Sequence, residues 1–343
     1  MVVTAADYIE LRKDVDRQGL LAYTPLYNLS RFLIILIVLG FFFGIILYYR
    51  TLIVAVLVSF PIAFTAIQMG FIGHDAGHGS ISKKKSVNEF IGQITHSFFM
   101  GVSFTYWKRS HNLHHAEPNH EKIDPDINEG SPFSFIEAKA KQRRGLARII
   151  TRYQSFLLFP AFLFLVFTRQ YESLKHIIKN SKVLVVDILL IAFHVLFFIG
   201  LFSYFLGVFA ALLLYFLIFI QIGLYFGFAF IPNHLGLEVI KESNGLSFLE
   251  KQVITSRDIK GGKILSFISG HLNYQIEHHL FPNVSRKNLP KIKKIVKKFC
   301  IKRGLKYTDD SLFGAWKSVV IYLKGVGEKA GRLNVIKTAS DMF

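Results

Sequence analysis

Seven of the 13 histidines fall in three short stretches: His74-Asp75-Ala76-Gly77-His78, His111-Asn112-Leu113-His114-His115 and Gln275-Ile276-Glu277-His278-His279. Residues three and four apart share a helix face, so each stretch can aim its imidazoles in one direction. Neutral imidazole is a ligand for iron, zinc, copper and nickel, and several together with open coordination positions suit a metal that must bind oxygen or water. Seven ligands exceed the roughly four to six that one such ion takes, so two metals held close together are the simplest inference. A lone HxxxH is most often structural; three boxes, each just outside an apolar run, are a much rarer pattern. His234, in Pro232-Asn233-His234, stands where an eighth ligand could reach the same point. Cys300 is the one cysteine, which excludes an internal disulfide, a CxxC and an iron–sulfur site, so any metal must be held by His, Asp or Glu.

Ligating rings are oriented by acceptors for their second N–H, and Asp75, Asn112, Asp124, Asp126 and Glu277 are the candidates near the boxes. Of the remaining histidines, His271 is expected to pack or hydrogen-bond. His194 and Asp187 are expected to bond inside an apolar bundle, and His96, His120 and His176 to be ordinary polar or interfacial residues.

The elements that must position these boxes are hydrophobic. The 343 residues are 52% hydrophobic and 19% charged, with 35 Phe and a mean hydropathy of +0.38, which excludes disorder, a collagen-like repeat and a disulfide scaffold. A membrane-spanning helix needs about 20 apolar residues. Four runs meet that test, at about residues 32–49, 52–72, 183–205 and 207–231, and the short joins at 50–51 and near 206 predict two helical hairpins. Two further runs, 156–167 with Pro160 inside it and 91–104 with Gln93, Thr95 and His96, are predicted to be interfacial or half-inserted.

All Lys and Arg except Arg50 lie in segments 1–31, 73–154, 169–182 and 232–343. Basic residues stay on the cytoplasmic side, so both termini and both large polar segments, 73–182 and 232–343, are predicted to face the cytoplasm. The fold expected is an all-α integral membrane protein, a single domain over 1–343 with a cytoplasmic helical cap. Asp7, Glu10, Asp14 and Asp16 argue against a cleavable leader at the N-terminus. A net charge of +18 on so apolar a chain points to lipid headgroups rather than nucleic acid, for which no motif is present. The cationic run 291–303, with apolar partners Ile292, Ile295, Val296 and Phe299, has the spacing of a helix lying on a membrane, a dock for an acidic protein or a solvated face.

On HDAGH (74–78), HNLHH (111–115) and QIEHHLFP (275–282), with Pro118-Asn119, Asp124-Pro125-Asp126 and residues 252–257, the chain resembles the membrane-bound fatty acid desaturases over roughly 20–310. The resemblance implies a diiron centre under the bundle, held by His74, His78, His111, His114, His115, His278 and His279, with His234 matching the extra histidine after the last span. The Gln-led third box is similar to that of front-end and many bacterial acyl desaturases, and His271 stands where relatives often carry Gly. It further implies O2 as co-substrate and a long-chain fatty acyl substrate on CoA or a lipid. No HPGG haem motif is present, so electrons are expected from a separate ferredoxin or cytochrome b5 with its reductase, and a bacterial inner membrane or its equivalent is the expected location.

Removing two hydrogens from an unactivated methylene pair is beyond any side-chain acid or base, so the oxidant must come from a metal and O2. The chain's part would be to hold a bent, Phe-lined acyl tunnel below the metals with the headgroup at the cytoplasmic surface. A diiron hydroxylase acting on a lipid or alkane would carry similar boxes, and a non-catalytic metal carrier would need polar residues through the bilayer that the four runs lack.

Overall fold

The computed structural model describes residues 3–128, 132–180, 185–241 and 245–330, and the described chain is predominantly helical. Val183 and Leu184, at the start of the third expected span, lie outside the described residues, as do 331–343 of the C-terminal polar segment. Four helices are long and apolar enough to cross a membrane: Pro25–Tyr49, Leu52–Gly77, Val185–Leu206 and Val208–Asn233. The 26 residues of the second rise about 39 Å at 1.5 Å each, more than the ~30 Å of hydrocarbon. The first two helices extend beyond the apolar runs, because hydrogen bonding and not apolarity ends a helix. Pro25 opens the first at a position needing no N–H, and the second continues through His74 to Gly77.

The joins are built from local chemistry. Arg50 adopts a left-handed conformation, φ 51°, and returns its N–H to the Ile46 carbonyl, while Thr51 Oγ1 accepts from the Val54 N–H to start the next helix. Between the third and fourth helices Gly207 turns the chain at φ 84°, which favours glycine. The second helix packs against the first and the fourth, and the third against the fourth, around Ile35, Leu39, Ile62, Ile67, Phe202 and Leu214. Their outward faces expose Leu33, Ile37, Phe41, Leu57, Phe193 and Leu196, an apolar rim of the kind lipid covers.

Run 91–104 forms Lys85–Gly92 followed by a π-helical segment, Gln93–Phe99, inserted beside the second and third helices. It buries His96 against Trp107 at a ring distance of 4.3 Å, so His96 is a packed residue rather than an interfacial one. His194 and Asp187 do bond within the bundle. The His194 ring donates from Nδ1 to the Phe98 carbonyl (2.6 Å) and accepts the Tyr215 hydroxyl at Nε2 (2.8 Å). Asp187 accepts from Ser97, Ser103 and the Phe104 N–H.

Run 156–167 lies in a helical stretch, Gln154–Asn180, that bends by 94° from Gly145–Arg152. Its turn Phe162–Phe164 sits against the fourth span, where Gly223 permits the contact: a Cβ there would lie 2.3 Å from the Phe162 carbonyl oxygen. Overpacking of this kind costs about 1–3 kcal/mol. Gly223→Ala is therefore expected to lower the melting temperature in detergent, whereas Gly200→Ala, with nothing within 4 Å, is not. Equal melting of the two variants would contradict this packing.

Outside the spans a second core joins the N-terminal helix Ala5–Arg17, Phe248–Ile254, Gln275–Leu280 and Leu289–Arg303. Here the structure corrects one expectation. Ile292, Val296, Phe299 and Cys300 are buried against Leu11, Val15, Ile276 and Leu280, so the apolar stripe of 291–303 is covered by the chain itself rather than by lipid. A two-stranded parallel sheet, Asp258–Lys260 with Asp309–Ser311, and the closing helix Leu312–Lys329 complete the described chain.

Candidate metal centre

Each histidine box is carried by a helix end. His74 is in the last turn of the second spanning helix and His78 caps it. The second box lies on Phe104–Ala116, whose start is fixed by Ser103 Oγ accepting the Tyr106 N–H at 3.1 Å. The third lies on Gln275–Leu280, and His234 follows the turn Ile231–Asn233 at the end of the fourth span. Two adjoining groups result. Nitrogens of His74, His78, His111, His115 and His278 all lie within 4.8 Å of one another, as do those of His114, His234 and His279. The groups touch where the His115 and His279 rings stack at 4.1 Å. All eight expected histidines are thus in one region, and His271, His194, His96, His120 and His176 are in neither group.

The donor set fits metal. Nε2 atoms approach at 2.9 Å (His78 to His111), 3.1 Å (His111 to His74), 3.2 Å (His115 to His111) and 3.1 Å (His278 to His115). His111 Nε2 faces three others and carries at most one hydrogen, so ring-to-ring bonds cannot satisfy this arrangement. Nitrogens about 2.1 Å from one ion, at right angles around it, would lie about 3.0 Å apart. Burial pushes His78, His111, His115, His278, His279 and His234 well below the usual histidine range, holding the rings in the neutral form that ligates. In His114 burial acts the same way, but Asp124 and then Asp126 outweigh it and raise the ring to about 8.

The residues that orient the rings differ in part from those expected. Asp124 does so: its carboxylate accepts from His114 Nδ1 at 3.0 Å and is itself held by the Asn119 and Asp126 N–H groups. Asp126 stands farther off, 3.6 Å from the same nitrogen and more exposed. Asp75 is 3.6 Å from His74 Nδ1 and is gripped instead by Arg286. Glu277 points away from the rings to the Tyr307 hydroxyl at 2.8 Å. There burial and the charge of Asp258 raise it well above the carboxylate range. Asn112 is exposed.

Gln252 was not anticipated in this role. Its Oε1 accepts from His279 Nδ1 at 2.9 Å and its Nε2 donates to the His115 carbonyl at 2.9 Å, clamping the two stacked rings. The Thr255 carbonyl takes the N–H of His234 Nδ1 at 2.9 Å. Both belong to the stretch 252–257, whose presence could be seen but whose contacts could not. Gln275 Nε2 lies 2.9 Å from His234 Nε2, and its oxygen accepts from Asn233 Nδ2 at 3.3 Å. Outer partners of ligating histidines are worth about 10- to 100-fold in metal affinity. Gln252→Leu is expected to lose iron to a chelator with an affinity reduced by about that factor; iron retention equal to the parent protein would refute the clamp.

Comparison with known proteins agrees with this geometry. Residues 50–311 match the fatty acid desaturase family. The acyl-lipid (9-3)-desaturase of Physcomitrium patens is 31% identical over 94% of this chain and 63% of its own length. A fatty acid desaturase 2-like protein of Mus musculus is 29% identical over 79% of this chain and 56% of its own. The delta(8)-fatty-acid desaturase of Borago officinalis is 27% identical over 96% of this chain and 77% of its own. The chain thus spans less than two thirds of the length of the first two relatives. Three histidine boxes converging at the ends of apolar helices, and a match covering most of the chain, lead to one statement: this protein belongs to the fatty acid desaturase family.

Proposed function

We propose that the chain is a fatty acyl desaturase that introduces a cis double bond into a long acyl chain, using O2 and two electrons. The observation that carries this is the convergence of His74, His78, His111, His115 and His278 beside His114, His234 and His279. These eight residues would hold two iron ions, which supply the power to activate O2 for removing hydrogen from unactivated carbon. The chain's residues do the positioning. Asp124, Gln252 and the Thr255 carbonyl fix ring orientation, and burial favours the neutral form of the rings other than His114.

The layout supporting this reading is one membrane domain over 1–343, with the spans as two hairpins and both termini, the helical cap and the metal centre on the cytoplasmic side. The distribution of Lys and Arg supports that orientation. The substrate would be an acyl chain on CoA or a lipid, entering from the bilayer among the apolar helices. Electrons would come from a ferredoxin or from a cytochrome b5 with its reductase.

The test is expression in a host of known lipid composition, with iron measured on the purified protein. The expected result is a new lipid two hydrogens lighter than its precursor. Iron-loaded, reductant-supplied protein that adds oxygen instead, or leaves lipids unchanged, would overturn desaturation.

A further inference from the structure

A second buried polar cluster lies at the start of the first spanning helix, apart from the two histidine groups. Arg31 is in the second turn of Pro25–Tyr49, just before the apolar run begins. Thr24 Oγ1 and Ser285 Oγ, 2.5 Å apart, tie the entrance of that helix to the segment carrying Arg286. Arg286 is 2% exposed. Its Nε and Nη2 reach the Asp75 carboxylate at 2.5 Å each, and Nη2 also donates to the Phe71 carbonyl. Among the described residues its Nη1 has no hydrogen-bond partner, nor has Arg31 Nη1 or His271 Nδ1, and all three atoms are shielded from solvent. Arg31 and Lys287 both stand over the Tyr27 ring, at 5.5 and 5.8 Å.

The charges do not balance. Arg286 takes the Asp75 carboxylate, while Arg31 and Lys287, both over the Tyr27 ring, add positive charge beside it with no ion pair of their own among the described residues. A buried charge without a counter-charge, and a buried N–H without an acceptor, are both costly. Burial, then Arg286 and Arg31, push His271 down to about 4, so its ring is neutral at physiological pH. An oxyanion would supply the missing charge and the missing acceptors together, and guanidinium groups suit one better than any other side chain. On the membrane reading, the boundary between residues 31 and 32 is also the level at which lipid phosphates lie.

We propose that Arg31 and Arg286, with His271 on the wall, form a cradle for the phosphate oxyanion of a membrane lipid headgroup. The cradle rests on the membrane reading but not on desaturation, so binding can be tested without turnover.

The full chain, purified in a neutral detergent, would be titrated with dioleoyl phosphatidylglycerol, with dioleoylglycerol and with inorganic phosphate while its melting temperature is followed. Phosphatidylglycerol should raise it saturably and dioleoylglycerol should not. Arg31→Gln should move the midpoint up by about tenfold or more, the loss of a charge-assisted bond. Arg50→Gln, which removes the same charge at the other end of the helix, should leave it in place. If Arg31→Gln does not fold, Arg31→Lys keeps the charge but not the fork and should raise the midpoint several-fold. A response to inorganic phosphate alone, sensitive to Arg31, would replace the lipid by free phosphate and overturn the headgroup assignment. Equal midpoints for the parent and the Arg31 variants, or an equal response to dioleoylglycerol, would overturn the cradle itself.

Discussion

His278→Ala is expected to abolish desaturation and to leave the purified protein short of iron while its helices remain folded. His278 is 4% exposed, approaches His115 Nε2 at 3.1 Å, and is one of five imidazoles whose nitrogens share one point. Loss of an outer partner of a ligand already costs about 10- to 100-fold in metal affinity, so loss of a ligand itself should exceed about a hundredfold. The helix Gln275–Leu280 would still be anchored by Ile276 and Leu280, both fully buried, which is why fold and metal should separate in this variant. His176→Ala is the matched control, since His176 belongs to neither group of converging nitrogens. Metal analysis and lipid profiling on the same preparations decide it. Full iron content and full product in His278→Ala would remove the third box from the centre.

Asp124→Asn should have the second largest effect, and for a different reason. Asp124 is wholly buried, and its two oxygens accept from His114 Nδ1 (3.1 and 3.0 Å), the Asn119 N–H (2.7 Å) and the Asp126 N–H (2.9 Å). Asparagine has one oxygen to offer and would turn an NH2 toward a donor. A buried donor left without its acceptor costs about 1–3 kcal/mol, more where a charged group is involved, so the variant should unfold at lower denaturant. The His114 ring would lose its orienting acceptor and the three-histidine group about 10- to 100-fold in metal affinity. Asp126→Asn should do far less, because that carboxylate is more exposed and 3.6 Å from the ring. Comparable losses in the two variants would mean that Asp124 acts through general charge rather than through its hydrogen bonds.

Much of the architecture was readable from periodicity and length. Apolar runs of membrane-spanning length demand helices, and the structure has a helix at each. Box spacing was equally informative, since residues three and four apart on a helix must share a face whatever the rest of the chain does. Segment 291–303 shows the opposite case. Its amphipathic pattern says that one face must be covered, but not by what, and the cover is the N-terminal helix almost 300 residues earlier. His96 likewise looked ordinary because nothing in its neighbourhood announces that Trp107 will lie on it. The family resemblance was carried by the same motifs, and it extends through 252–257, where Gln252 clamps two rings.

The sequence by itself determined the number of apolar helices and the three clusters of imidazoles able to hold metal, because these depend on residue type and on spacing within a single helix. Only the tertiary structure decided how eight histidines divide into groups of five and three. It likewise decided which acceptor turns each ring, and that Arg31 and Lys287 stand over one Tyr27 ring. Those contacts join residues tens to hundreds of positions apart, and their geometry is set by packing that no local pattern encodes.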